Sequence, residues 1–432
     1  MNQKNSKKSL KIITVIGLGY VGLPLALLAS KRGYNVFGID LNKEKIDLIN
    51  KRISPIKDRK ISQQLKELKI TATSDFSCVK NASIIIICVP TPVYENHMPD
   101  LRPIEGACKS IVPFLKKGHL VVLESTVNPG VSEEVIIPIL EKESGLKCGR
   151  DFYLAHCPER INPGDAKWDV ENIPRVVGSY DKKGLKMAVD FYSSIISAPI
   201  KPMNSLKEAE AVKVVENSFR DINIAFVNEL AMSFSCLGID IVNVIEGAST
   251  KPFSFMAHFP GCGVGGHCIP VDPYYLIEYA KKNDFDHDFL SLARKINNYM
   301  PQFTVEQTIK ALNESNIFIN NAKVAVLGLS YKANIDDCRE SPSFEIIKHL
   351  QKAGANVVSF DPFVLQKSTV KSLKEAVKGV KAVVIATAHK DFKKLTPKFF
   401  LENGVKVIVD GRNCLDKQKF IKAGIIYKGI GT

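Results

Sequence analysis

The hydrophobic pattern of this 432-residue chain changes period twice. Short apolar, β-branched runs recur at 11–16, 83–89, 120–123 and 151–155. They are apolar at nearly every position rather than at alternate ones, which fits strands of a parallel sheet buried on both faces. Each run stops at polar or turn-forming residues: Gly17, Pro90-Thr91-Pro92, Glu124-Ser125-Thr126-Val127-Asn128-Pro129-Gly130 and His156-Cys157-Pro158-Glu159-Arg160-Ile161-Asn162-Pro163-Gly164. From 205 to 237 the period becomes helical, with apolar residues at 209, 212, 215, 219, 222, 226 and 230. A stripe that long reads as a spine between domains or as a dimer surface. Further helices are expected over 273–283 and after Asp288. Strand–helix alternation then returns, with strands at 323–328, 356–360, 382–386 and 405–409 and a helix at 343–353.

The first turn makes the layout specific. The strand 11–16 leads into Gly17-Leu18-Gly19-Tyr20-Val21-Gly22, a helix over 21–32, Gly33 and a strand 35–39 ending on Asp40. In this pattern the first glycine permits a tight turn, the second lets a pyrophosphate approach backbone N–H groups, and the third allows close helix–strand packing. Asp40 stands where a carboxylate accepts from ribose hydroxyls and repels a 2′-phosphate, which favours NAD over NADP; Lys45 nearby pulls the other way. The alternative, glycines used only for packing, does not account for the terminal acid. The second α/β unit opens on Gly328-Leu329-Ser330-Tyr331-Lys332, without three glycines but with a lysine. It reads as a degenerate nucleotide half in which cations replace part of the cradle. The fold class is therefore α/β: two Rossmann-like parallel-sheet domains, 1–203 and 313–432, joined by a helical region, 204–312, that carries a long central helix.

Ligands of open α/β sheets bind at the carboxyl ends of the strands. Thr126 and Glu159 are candidates on that ground; taken alone, Thr126 reads as turn chemistry and Glu159 stays open. Lys213 and Asn217, four apart on the long helix, could both donate to one oxyanion, or could form a solvated face. The stretch from Phe259 to Pro273 holds four glycines between 261 and 266, then Cys268 and Asp272. Bare backbone beside a thiol and a carboxylate suits a substrate held against a nucleophile, and suits an irregular connection with a buried thiol equally well.

Composition narrows the class. Hydrophobic content of 45% and charge of 24% are ordinary for a globular chain. The apolar stretch 12–29 is broken by Gly17, Gly19, Gly22 and Pro24, so it reads as a folded unit rather than a signal peptide, and no run reaches the roughly 18 apolar residues of a membrane span. The ten cysteines form no CxxC pair and read as free thiols of a reducing, cytoplasmic compartment. His267-Cys268 lacks metal-ligand spacing, so no metal is expected. The net charge of +14 is spread along the chain, which gives no footprint for nucleic acid and matches anionic nucleotide ligands.

In combination, GLGYVGLPLA at 17–26, ESTVNPG at 124–130, CPERINPG at 157–164, the Lys213/Asn217 helix, GGHCIPVDPYYL at 265–276 and GLSYKANIDDCRESP at 328–342 resemble the nucleotide-sugar 6-dehydrogenases, the UDP-glucose/GDP-mannose dehydrogenase family. TKPFSFMAHFPGCGVGGHC at 250–268 is most similar to the UDP-N-acetylglucosamine 6-dehydrogenases, with the N-acetylmannosamine and N-acetylgalactosamine enzymes as near relatives. The resemblance implies a four-electron, NAD-dependent oxidation of the sugar C6 alcohol to a carboxylate, through a thiohemiacetal and a thioester on Cys268. It implies that Lys213 with Asn217 stabilises the oxyanion, that Asp272 and Thr126 position water, and that Glu159 is the hydrolytic base. It assigns cofactor contacts to Gly17, Gly19, Tyr20, Val21, Gly22, Asp40, Lys45, Pro90, Thr91, Thr126 and Arg339. It assigns UDP-sugar contacts to Glu159, Arg160, Lys213, Asn217, Phe259, Gly263, Gly265, Gly266 and Lys332. It also implies a homodimer built on the long helix and a role in surface-polysaccharide precursor supply. Cys262 reads as a loop filler. Val271 stands where many UDP-glucose enzymes carry lysine, and Lys251-Pro252-Phe253 lacks the arginine that they place before the loop; both argue against UDP-glucose. Two other classes remain: a two-electron hydroxyacid-type dehydrogenase, and a non-catalytic NAD sensor, for which a nucleophile would be superfluous.

Overall fold

The computed structural model describes residues 11–56, 58–94, 99–161 and 167–432; the basic leader and Asn162-Pro163-Gly164 lie outside the described residues. The first sheet comprises β1 Ile12–Ile16, β2 Asn35–Ile39, β3 Thr71–Thr73, β4 Ile84–Ile87, β5 Leu120–Leu123, β6 Tyr153–His156, β7 Arg175–Ser179 and β8 Ile200–Pro202, in the order β3-β2-β1-β4-β5-β6-β7-β8. Pairing is parallel up to β6; β7 runs antiparallel to β6, which departs from the all-parallel expectation. The four isoleucines of β4 explain the unbroken apolar run. Ile84 and Ile86 enter the core on one face, Ile85 and Ile87 the core on the other. Each such side chain contributes roughly 1.5–3 kcal/mol by leaving water. The strand order reverses between β1 and β4, the kind of switch point at which open α/β sheets bind ligands, and Gly17 follows β1 there.

The second sheet is parallel throughout: β9 Lys323–Leu327, β10 Asn356–Phe360, β11 Ala382–Ile385, β12 Val407–Asp410 and β13 Ile426–Gly429, in the order β10-β9-β11-β12-β13. The chain divides into two units. One is Met1–Glu216 with Tyr274–Tyr279, and the other Asn217–Pro273 with Ala280–Thr432. Among the described residues no helix is long and apolar enough to cross a membrane.

The long helix Leu206–Leu237 is present, and its predicted stripe is buried only in part: Ala209 is wholly buried and Val212, Ile222 and Leu230 are half-buried. Val215, Phe219 and Phe226 of that stripe are about half exposed (55, 47 and 54%). The buried residues of the helix are Leu206, Ala209, Glu210, Val214, Ser218, Asp221, Ala225, Val227, Asn228 and Ala231. Polar residues occupy this face because other elements supply partners for them, as described below.

Candidate active site

In the first unit, the three glycines of the first turn divide their work. A Cβ on Gly17 would stand 2.6 Å from the Cys88 carbonyl, and one on Gly22 1.9 Å from the Gly17 carbonyl, whereas one on Gly19 meets nothing within 4 Å. Gly17 and Gly22 therefore pack the turn, and Gly19 leaves the backbone bare beside the start of helix Gly22–Lys31. Val21 precedes that helix, and Tyr20 is 54% exposed at the rim. Asp40 is tied into the cradle: the Leu18 N–H donates to it at 2.9 Å, the Asn42 N–H at 3.0 Å and Lys45 Nζ at 2.7 Å. Partial burial pushes its carboxyl up, but the Lys45 ammonium and these N–H groups bring it below the usual carboxylate value. An open Gly19, a helix start without a side-chain cap and an ionised Asp40 fit the pyrophosphate and adenosine ribose of NAD. Lys45 neutralises Asp40 rather than standing apart as a 2′-phosphate ligand. Across the switch point Pro90 is exposed, and the carbonyl of buried Thr91 accepts from Tyr275 Oη at 2.8 Å.

The carboxyl ends of β5, β6 and β7 meet over a buried ionic network that sequence reasoning missed. Arg175, wholly buried, donates from Nη2 to Glu159 Oε2 at 2.8 Å and lies 3.7 Å from Glu124 Oε2. Tyr192 Oη donates to Glu124 Oε1 at 2.5 Å. Burial pushes the Glu124 carboxyl up to about 7 against the pull of Arg175. Glu159 Oε1 accepts the N–H groups of Arg160 and Ile161, each at 2.6 Å. Three donors thus engage Glu159, two on Oε1 and one on Oε2, which leaves one acceptor position on Oε2. Arg160 reaches the long helix, pairing with Glu216 and donating to the Pro174 carbonyl at 2.9 Å. Glu210, one turn before Lys213, accepts from the N–H groups of Gly130 at 2.6 Å and Ser132 at 2.8 Å. Both strand-end loops are therefore tied to the stretch that carries half-buried Lys213, and half-buried Thr126 lies in the first of them.

In the second unit, the glycine loop is covered by the chain itself. A Cβ on Gly265 would stand 2.6 Å from the Glu340 carbonyl, one on Gly266 2.8 Å from the Tyr331 ring and one on Gly263 3.0 Å from Pro342. The Gly266 N–H donates to the Arg339 carbonyl at 3.0 Å. The bare backbone expected to lie against a ligand is thus used at least as much for close packing. Cys268 is exposed, whereas Cys262 is buried with its thiol against the Ala386 carbonyl at 3.4 Å, the filler expected of it. The Cys268 carbonyl accepts from the N–H groups of Val271 and Asp272. Helix Asp272–Lys281 begins there, so the thiol sits one turn before a helix start. Asn217 Nδ2 donates to the Asp272 carboxylate at 2.5 Å, which joins two predicted site residues 55 positions apart. Lys213 belongs to the first unit and Asn217 to the second. Arg339 is paired with Asp337 at 2.6 Å. Phe259 is 52% exposed and Lys332 half-buried in the turn after β9.

The second unit has its own counterpart of Asp40. Asp361 ends β10 and accepts from the N–H groups of Leu329 at 2.6 Å and Ser330 at 2.8 Å, as Asp40 does from Leu18. Here, however, His389 Nε2 lies at 3.0 Å, and the acid is wholly buried. Its carboxylate is spent on the protein, so this turn is not a second dinucleotide cradle. Arg175 had one sequence signal, a charge opening the apolar run Arg175-Val176-Val177; the His389 contact had none.

Comparison with known proteins agrees with this layout. Models of the UDP-glucose/GDP-mannose dehydrogenase family match at 11–196 (NAD binding domain), 207–299 (central domain) and 325–417 (UDP binding domain). The UDP-N-acetyl-D-glucosamine 6-dehydrogenase of Pseudomonas aeruginosa is 36% identical over 420 residues, 95% of this chain and 99% of that one. The solved UDP-D-ManNAc dehydrogenase of Pyrococcus horikoshii superposes with a TM-score of 0.91 at 38% identity, covering 97% of this chain and 99% of that one. The solved NDP-N-acetyl-D-galactosaminuronic acid dehydrogenase of Methanosarcina mazei Go1 gives 0.87 at 34%, covering 98 and 95%. With its NAD cradle, its UDP-domain match and relatives along nearly its whole length, this chain is an oxidoreductase belonging to the UDP-glucose/GDP-mannose dehydrogenase family.

Proposed function

We infer that this enzyme oxidises the C6 hydroxyl of a UDP-N-acetylhexosamine to the carboxylate with two equivalents of NAD, and that UDP-N-acetylglucosamine is the substrate. The observation that carries the reading is the exposed Cys268 at the end of the glycine loop, one turn before an Asp272 held by Asn217. NAD, held by the Gly17–Gly22 turn and Asp40, supplies the hydride acceptor. The chain's own groups do the rest. The Cys268 thiolate adds to the C6 aldehyde carbon, and the C–S bond keeps the aldehyde from leaving between the two oxidations. Lys213 and Asn217 donate to the oxygen that bears negative charge in the adduct. After the second oxidation the thioester carbon takes a water placed by Asp272 and Thr126, the C–S bond breaks, and the thiol is regenerated. In sum, one alcohol, one water and two NAD give one carboxylate, two NADH and three protons. Glu159 takes the proton of that water at the open position of Oε2, while its other contacts anchor its loop.

A second reading, UDP-N-acetylmannosamine, is favoured by the Pyrococcus horikoshii relative, which is 38% identical against 36% for the Pseudomonas aeruginosa enzyme. Epimers differ by a few hydrogen bonds in one pocket. An absorbance panel of UDP-GlcNAc, UDP-ManNAc, UDP-GalNAc and UDP-glucose, counting NADH per sugar, tests both. Two NADH from UDP-GlcNAc at the highest kcat/KM is the expected result. Preference for UDP-ManNAc selects the second reading, and one NADH per sugar overturns the four-electron chemistry. Product of this kind would feed surface-polysaccharide assembly.

A further inference from the structure

The glycine loop is fixed at both ends by one helix. At its far end Asn217 holds Asp272; at its near end the buried Gly261 N–H donates to Asn228 Oδ1 at 3.0 Å. Eleven residues are three helical turns to within about 20°, so both asparagines lie on one face. Asn228 does not choose its own orientation. Asp221 presents a carboxylate and a carbonyl, both acceptors, to Asn297 Nδ2 at 2.8 and 3.0 Å. Asn297 must therefore turn its oxygen outward, and Asn228 Nδ2 donates to that oxygen at 2.9 Å. This leaves only Oδ1 of Asn228 for the Gly261 N–H. Arg294 Nη1 closes the far end, donating to Asp221 Oδ1 at 2.6 Å. Asn228, Asn297, Asp221 and Arg294 are 0, 1, 1 and 4% exposed, so no water competes for these bonds. On its other side Gly261 lies against Arg412, and the Cys262 N–H donates to the Gly411 carbonyl at 3.1 Å. The loop entry has one seat.

We propose that Asn228 is a positioning residue for the reaction: oriented by the Asp221–Asn297 relay, it seats Gly261 and thereby sets where the loop presents Cys268. The proposal rests on the reading of Cys268 as the nucleophile.

The experiment compares Asn228→Ala, Asn228→Asp and a control, Thr308→Val, which removes an equally buried hydroxyl that bonds only within its own helix. Three quantities are read in the full-length enzyme: kcat and KM for the UDP-sugar, melting temperature, and the rate of iodoacetamide alkylation at Cys268 by mass spectrometry. N228A is expected to lower kcat/KM about 100-fold, the cost of displacing a reacting group by about 1 Å, and to change the alkylation rate at least threefold. N228D keeps the acceptor for Gly261 and is expected to hold the alkylation rate within about twofold while losing melting temperature. T308V should lower the melting temperature and move neither of the other readouts. If N228A does not fold, Asn228→Ser, too short to reach Gly261, takes its place with the same expectation. N228A with kcat/KM and alkylation within twofold of wild type overturns the proposal, as does N228D failing as fully as N228A. Alkylation reads the loop whether or not the thiol is catalytic. A fully active Cys268→Ala would thus remove the nucleophile reading while leaving the seating of the loop to be judged on its own readout.

Discussion

Replacing Arg175 with leucine tests the strand-end network. Arg175 is the cation between two carboxylates, Glu159 at 2.8 Å and Glu124 at 3.7 Å, and both its side chain and that of Glu124 are fully buried. Leucine fills part of the volume and leaves two uncompensated acids, a change that typically costs about 3–5 kcal/mol. For a unit of roughly 200 residues, each kcal/mol moves the melting point by about 2–4 °C, so a fall of about 6–20 °C is expected. Trp168 is the only tryptophan, lies in the first unit and is 42% exposed, so its fluorescence reports that unit's unfolding. The pH dependence fixes the sign. In the wild type the Glu124 carboxyl is raised to about 7, so its contribution to stability is present below its unfolded value of 4.5 and is lost as pH rises through 7. Without the pull of Arg175, Glu124 holds its proton to still higher pH. The deficit of Arg175→Leu should be greatest above pH 7 and shrink toward pH 5. A loss below about 1 kcal/mol, or a deficit that deepens on acidification, would refute the reasoning.

Three further outcomes follow from the geometry. Asp40→Ala removes the proposed acceptor for ribose hydroxyls and the partner of Lys45; steady-state kinetics should show the NAD KM rising about tenfold or more and discrimination against NADP falling, with the UDP-sugar KM unchanged. Cys262→Ala removes a buried thiol that packs against Ala386 and is proposed to be a filler; it should keep two NADH per sugar and lose about 1 kcal/mol or less in a denaturant melt, and a loss of turnover would contradict the filler assignment. Gly266→Ala puts a methyl 2.8 Å from the Tyr331 ring at a φ of +95°, so kcat should drop without change in NAD affinity as measured by fluorescence titration.

The legible parts of this fold are those set by local chemistry. Four consecutive isoleucines in β4 can only be a strand buried on both faces, and the acid that ends β2 announces a ribose partner. The long helix shows where such reading stops. Its apolar stripe is legible, with Val215, Phe219 and Phe226 about half exposed in the single chain, but the polar residues of its buried face are not. The buried row holds Glu210, Asp221 and Asn228, whose partners are backbone groups at Gly130 and Ser132 and side chains at Arg294 and Asn297. A polar residue can be buried when a distant element supplies its hydrogen bonds, and nothing local records that element. The same holds for Glu159, named from its position at a strand end while the arginine that holds it stood in the next strand. The glycines of the 261–266 loop read as room for a ligand; the sequence does not show that their missing side chains also make room for Tyr331, Pro342 and Arg412.

The covalent role of Cys268 is the claim on which the rest depends. Its most direct test is NADH counted to completion per UDP-GlcNAc consumed, in the wild type and in Cys268→Ala. The account predicts two NADH per sugar for the wild type and no net carboxylate formation by the variant. Two NADH per sugar from Cys268→Ala would contradict it.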